Sequence, residues 1–503
     1  MGESAAYGGL KETYRRRALI GDALGILGWD QATIMPEGSA DGRAEQIATL
    51  SVMRHELVVD PEVADGIAQA KQDFAAQDTD DWDRSNLREM ERAYAMAAAV
   101  PGDLVEAAAR ANAVCELQWR RARAENDYAG LLPTLREVLN LVKQTADARA
   151  DALSLAPYDA LLEEFEACTR MARLDPLFDR LASFLPDFLP QVLERQNGRP
   201  APVRPEGPFA IADQRALAAE LMQGLGFDFN RGRLDVSHHP FCGGATGDVR
   251  ITTRYNEDDF TESLMGVLHE TGHALYEAGL PVDWHFQPVG NALGMAIHES
   301  QSLLIEMQVS RSRPFLSYAL PRMLKAFAGS GTAWDVDNIY RLYTHVEPGF
   351  IRVDADEVTY PLHVILRYRL EQAMLSGDLD LADLPGAWND GMRNLLGITP
   401  PDDRLGCLQD VHWPSGAFGY FPTYTLGAMA AAQFYRAARR DMPDLETDIA
   451  TGDLTGLVSW LRTHVHGQGS CHTADELLTR ATGEALNSEI FLAHLQARYL
   501  NDS

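Results

Sequence analysis

Two histidines and a glutamate stand in the order His269-Glu270-x-x-His273. On an α-helix, residues four apart project from one face about one turn apart, so both imidazoles reach a single Zn²⁺. Glu270 is placed to take the proton of a water activated at that ion. The flanking Leu264, Met265, Val267, Leu268, Leu275 and Tyr276 make the helix apolar nearly all round, which predicts burial. Burying His-Glu-His costs desolvation unless the groups have partners or a task. Surface histidines, or satisfied core histidines, fit such flanks poorly.

Catalytic zinc takes three protein ligands and keeps one position open. The next helix is expected from about residue 291 to 310, before Pro314. It carries Glu299 between apolar Met295 and Leu303. A carboxylate on that buried stripe, with no Lys or Arg near it in sequence, needs a metal or a proton, so Glu299 is the expected third ligand. His298 and Glu306 compete for the place; Glu306, two turns on, reads as a helix-surface charge. Leu303 stands four residues after Glu299, so no Asp there orients the first histidine, and its partner must come from elsewhere. The two helices are expected to be antiparallel, joined by the loop at 280–290.

Those helices need a scaffold. From Leu10 to about Glu194 the pattern is helical, rich in Ala, Leu, Glu and Arg, and reads as one extended helical wall. Pro36 and Gly38 interrupt it early, in the stretch from Gly28 to Gly38, and Trp29 with Met35 should bury a packed interhelical corner. Residues 196–205 form a Pro- and Gly-rich connection, short enough to lie within one fold. Val249, Ile251, Thr253 and Tyr255 alternate with polar residues as a strand does. With the turn residues Gly243-Gly244 before it, this predicts a small antiparallel hairpin whose edge could hold an extended peptide; Arg250 and Arg254 share its polar face. Asp259 with Glu262 resembles a capping box at the start of the histidine helix, and Gly279 and Pro281 end it. Gly266 and Gly272 each cost about 1 kcal/mol against Ala in a helix interior, which close packing on another element would explain.

Composition bounds the rest. The chain has 503 residues, 44 Lys+Arg and 73 Asp+Glu, for a formal net charge of −29. That balance argues against nucleic acid and anionic membranes. Five scattered cysteines without a CxxC pair point to a reducing, cytoplasmic setting without a disulfide framework. Neither a signal peptide nor a run of about 18 apolar residues is evident.

Seven stretches in order resemble the M32 metallocarboxypeptidases, the carboxypeptidase Taq family. They are Trp29-Asp30-Gln31, His239-Pro240-Phe241, Asp248-Val249-Arg250-Ile251-Thr252, the pentad from His269 to His273, His298-Glu299-Ser300-Gln301, Ile351 to Asp356, and Gly406 to Trp413. The resemblance implies a mainly α fold with a deep cleft and a small antiparallel sheet at its edge, similar to neurolysin and angiotensin-converting enzyme. It implies one domain over residues 1–503, with the helical wall to about 195 and a metal-bearing region at about 236–430. It also implies zinc, with cobalt able to serve, removal of single residues from free peptide C-termini with broad specificity, and a homodimer.

Within that frame a carboxypeptidase must recognise an α-carboxylate. Arg352, before a helix expected to begin near Asp356 or Thr359, is the first candidate, since guanidinium and helix N-terminus together suit an anion; its competing role is a salt bridge to Asp354 or Asp356. Arg250 is the second candidate, and His239 falls on the substrate side. A further donor for the oxyanion is sought in His412, Tyr420 or Tyr424. Gln409 and Asp410 either line the pocket or orient the His412 imidazole. Two other functions stay open: a helical zinc endopeptidase or dipeptidyl carboxypeptidase, and a non-catalytic helical scaffold with a structural metal.

Overall fold

The computed structural model describes residues 4–76 and 79–501. The N-terminal helices Ala5–Thr33, Ala40–Val59, Pro61–Ala75 and Asp81–Ala98 enclose a small core of their own around Tyr7, Leu10, Tyr14, Ile67 and Met90. The first helix continues through Gly28 and Trp29 and stops only at Thr33, later than expected. Trp29 is buried, but under the Arg250 and Arg233 guanidiniums, 4.6 and 4.9 Å from its ring. It meets a sheet rather than a helical corner because Gly25 brings the helix onto a strand, where a Cβ would lie 2.2 Å from Gly244 O.

Helices Gly102–Glu125, Tyr128–Leu153 and Met171–Asn197 continue the wall and join the main core. The connection after Asn197 is pinned: Val346 N donates to Gln196 Oε1 and Val203 N donates to Asn338 Oδ1.

The sheet is mixed. Strands β1 (Gly232–Val236), β2 (Cys242–Ala245) and β3 (Asp248–Thr253) lie in the order β1-β3-β2, with β2 antiparallel and β1 parallel to β3. The antiparallel pair turns at Thr246-Gly247, and Gly243-Gly244 lie within β2. β1 was not foreseen: of its five residues only Leu234 is buried, so its sequence carries little alternation. β3 ends at Thr253, whose register partner Val236 is the last residue of β1. Leu234, Val249 and Ile251 pack with Val267 and Ala274 on the back of the histidine helix.

That helix spans Thr261–Ala278. It has no capping box, because Asp259 Oδ1 accepts from Thr261 N and Oγ1, ahead of the helix proper. The next helix, Met295–Leu303, runs directly into a π-helical segment, Leu304–Ser310. Side-chain pairings of His269 with Glu306 and of His273 with His298 run in opposite sequence order, so the two helices are antiparallel. Gly272 explains their close approach: a Cβ there would sit 2.4 Å from Gln301 O and 2.6 Å from Ser302 Cα. Gly266 faces open space, so close packing does not account for it. On the far side of the Met295–Leu303 helix lies helix Pro422–Asp441, where a Cβ on Gly427 would lie 2.8 Å from Glu299 Cβ.

Candidate active site

Stacking of these helices brings His269, His273 and Glu299 together, with one donor atom from each all within 4.8 Å of one another. Glu299 Oε2 is 3.3 Å from His273 Nε2 and 3.7 Å from His269 Nε2. Two imidazoles and a carboxylate suit a zinc-like ion. The charge balance fits a cation as well, since two carboxylates not held by an arginine, Glu270 and Glu299, lie beside the two imidazoles. Burial opposes charge on His269, yet Glu299 and Glu306 lift its pKa to about 10. Burial and the neighbouring His298 hold His273 down at about 4. Glu270 is 7% exposed and burial raises its carboxyl to about 7.

The outer nitrogens of both histidines are engaged. Glu306 is not a surface charge but 8% exposed, with Oε2 2.9 Å from His269 Nδ1. Burial would raise its pKa, but Arg311 and His269 hold it near 2. Arg311 reaches it because the segment is π-helical: Arg311 N donates to Glu306 O at 3.1 Å, stacking residues five apart. His298, the other competitor for the third ligand position, touches His273 instead, Nδ1 to Nδ1 at 2.6 Å, and reaches Glu277 Oε1 at 2.8 Å through Nε2.

A second cluster forms around Asp410. Arg352, 4% exposed, donates from Nε and Nη2 to Asp410 Oδ1 at 3.1 and 2.9 Å, and from Nη1 to Tyr360 Oη at 2.8 Å. Its carboxylate partner is therefore Asp410, not Asp354 or Asp356. Arg367, missed in the sequence, is fully buried and donates to Asp410 Oδ2 and Gln409 Oε1, both at 2.7 Å, over the Trp388 ring. Burial works against the Asp410 carboxylate, but the two arginines hold its pKa well below the usual range. Gln409 braces the cluster, accepting from Arg352 N and donating to Phe350 O and Gly406 O.

Asp410 does not fix the His412 imidazole. Its Oδ1 is 4.0 Å from Nδ1, because both oxygens are committed to arginines, and His412 Nδ1 finds no hydrogen-bond partner among the described residues. Burial, with Arg352 and Arg367 nearby, lowers the His412 pKa to about 4. His412 Nε2 meets Tyr424 Oη at 3.2 Å. Tyr424 links the two clusters: Arg352 lies 4.8 Å from its ring, and its hydroxyl feels the Glu299 charge. Tyr420 stacks edgewise on Tyr424 and Phe165.

Helix Tyr360–Ser376 supports this side. The helix itself begins at Tyr360, with Asp356 accepting from Val358 N and Thr359 N just before it. Tyr360, His363, Arg367 and Glu371 form a polar stripe at helical spacing, a signal the sequence carried. Glu371, also missed, accepts from Trp413 Nε1, Tyr158 Oη and Gly419 N, fixing the loop that carries His412 and Tyr420. The remaining candidates are Arg250 and His239. Arg250 is paired with Asp248 and stacked on Trp29; His239 is exposed, its ring against His238.

Fold and site together fit a helical metallopeptidase: antiparallel helices bring together a candidate ligand set, and a separate helix and loop supply a buried arginine cluster. Comparison with known proteins narrows the class. The family model described as carboxypeptidase Taq (M32) metallopeptidase matches residues 9–499. The chain belongs to that family and is a metal-dependent carboxypeptidase. It is 39% identical to thermostable carboxypeptidase 1 of Thermus thermophilus over 99% of both chains. Carboxypeptidase 1 of Bacillus subtilis is 32% identical, with 97% of this chain and 96% of the relative covered. Among solved structures, Trypanosoma cruzi metallocarboxypeptidase 1 superimposes with a TM-score of 0.96 at 40% identity, covering 98% of this chain and 99% of that one.

Proposed function

We propose that the chain is a zinc carboxypeptidase that removes single amino acids from free peptide C-termini with broad specificity. His269, His273 and Glu299 hold the ion, for which cobalt can substitute. When bound, the ion supplies Lewis-acid activation of water and of the scissile carbonyl. Glu270 would take the water's proton and pass it to the departing amine, as a buried carboxylate beside the ligands can. Arg352 receives the terminal carboxylate, and Tyr424, held by neutral His412, donates to the developing oxyanion with Tyr420 beside it. The enzyme works as a cytoplasmic homodimer.

The observation that carries this reading is the charge around Asp410. Arg352 and Arg367 are two positive charges, Asp410 is the one carboxylate bonded to both, and His412 is neutral. One positive charge is left over in a protein of formal net charge −29. Of the five N–H groups of a guanidinium, Arg352 has three side-chain bonds to Asp410 and Tyr360. The remaining donors suit a carboxylate.

The test is a pair of N-blocked peptides, one with a free and one with an amidated C-terminus. Stepwise release of single residues from the free acid alone is expected, abolished by chelator and restored by Zn²⁺ or Co²⁺. Equal cleavage of the amide refutes the exopeptidase reading, and release of dipeptides assigns a dipeptidyl carboxypeptidase.

A further inference from the structure

The two histidines of the pentad are held by unlike partners. His269 Nδ1 meets Glu306 Oε2 at 2.9 Å, and the other oxygen of Glu306 accepts from Arg311 Nη2. Arg311 is itself tied down, donating from Nη1 to Tyr343 O at 3.0 Å. This arm is charged, closed and buried. The arm on His273 runs through the imidazole of His298 to Glu277, whose side chain is 37% exposed.

We infer that Glu306 is the principal positioning residue for the metal. By accepting from His269 it keeps the proton on Nδ1 and leaves the Nε2 lone pair facing the ion, while the His298–Glu277 arm does the same for His273 less firmly. This rests on the reading of His269, His273 and Glu299 as ligands. The π-helical turn is part of the device. In an α-helix, residues five apart diverge by about 140°; here the backbone bond from Arg311 N to Glu306 O stacks them. Arg311 thereby neutralises Glu306 and directs its free oxygen at the histidine. An outer partner that fixes a ligand's tautomer typically changes metal affinity by about 10–100-fold when removed.

Glu306→Gln is the direct test. Both carboxylate oxygens accept hydrogen bonds, so the amide NH₂ of glutamine must confront either Arg311 or His269. Zn²⁺ affinity is measured by chelator competition on apo protein, alongside the apo melting temperature. The Zn²⁺ Kd is expected to rise at least fivefold in Glu306→Gln, and by less in Glu277→Gln. A rise below fivefold, or one matched by Glu277→Gln, overturns the inference. If Glu306→Gln does not fold, Glu306→Asp is read against the same threshold, since it keeps the charge beside Arg311 and withdraws the oxygen from Nδ1. Parent protein and His269→Ala separate the two levels: a parent without one tightly bound Zn²⁺, or a His269→Ala variant with undiminished affinity, refutes the ligand reading itself.

Discussion

Arg367→Met tests the arginine cluster without touching the surface that meets substrate. Arg367 is fully buried and holds Asp410 and Gln409 through two bonds of 2.7 Å, with a third to His363 O at 2.8 Å. Methionine fills part of the volume and carries no charge, so the cluster falls from one net positive charge to none. Breaking a buried ion pair by removing one partner costs about 3–5 kcal/mol; Asp410 keeps Arg352, which puts the loss toward about 3 kcal/mol. A substrate carboxylate on Arg352 would stand across Asp410 from the Arg367 charge, a separation taken as about 8 Å for the Coulomb term. At an effective dielectric of about 20, that charge contributes about 2 kcal/mol. KM for a blocked free-acid peptide should therefore rise about ten- to thirtyfold, with kcat falling less and metal content unchanged. Arg367→Lys, which keeps the charge and loses the fork, should recover most of KM and part of the melting temperature. A variant that melts lower than the parent yet keeps KM within threefold would show that Arg367 serves the fold alone, and the charge argument for the clamp would fall with it.

Further expectations can be checked singly. Glu270→Gln should retain one equivalent of metal by elemental analysis and lose activity by about 10²–10⁴-fold; activity near the parent value refutes the acid–base role. Gly427→Ala drives a Cβ to within 2.8 Å of Glu299 Cβ, so it should cost about 1–3 kcal/mol and weaken metal binding, measured by melting and chelator competition. Glu166, which accepts from Ala296 N at the start of the Met295–Leu303 helix, has its pKa raised by burial from 4.5 to about 8. Its neutral form therefore contributes stability that is complete below the unfolded value and lost as pH rises through the folded one. Glu166→Gln should flatten the fall in melting temperature between about pH 5 and about pH 8 relative to the parent.

The local parts of the architecture were legible in the sequence. Helical spacing put His269 and His273 on one face, and an apolar stripe singled out Glu299. The all-helical wall and the β2–β3 pair also came from short-range pattern. What escaped depends on distant partners or on unusual register. β1 pairs in parallel with a strand beyond β2, and only Leu234 advertises it. Glu306 looked like a surface charge because the segment was read with α spacing, in which Arg311 cannot stack on it. Arg367 and Glu371 meet partners some 40 residues away in a loop, although their alignment with Tyr360 and His363 along one stripe of the helix was a readable sign. Asp410 was read as lining the pocket or orienting its near neighbour His412, and the arginines that take both its oxygens belong to other elements. Trp29 was given a helical corner, since nothing nearby announces the arginines of the sheet.

The wide turn at Leu304–Ser310 sets a rule about chain length rather than residue identity. Relaxing that turn to ordinary α geometry with its length kept would rotate everything after it by about 100° relative to the histidine helix, whereas removing one residue between Glu306 and Arg311 would leave the two four apart and still on one face. In the first case Arg311 would swing away from Glu306, and Gln308, which donates to Glu357, would move with it. Among relatives a gap of one residue in this segment should go with ordinary α geometry, and an unchanged length with the wide turn. A homologue one residue shorter here should keep the same support for its first histidine on an ordinary α-helical turn, with its arginine four residues after the glutamate.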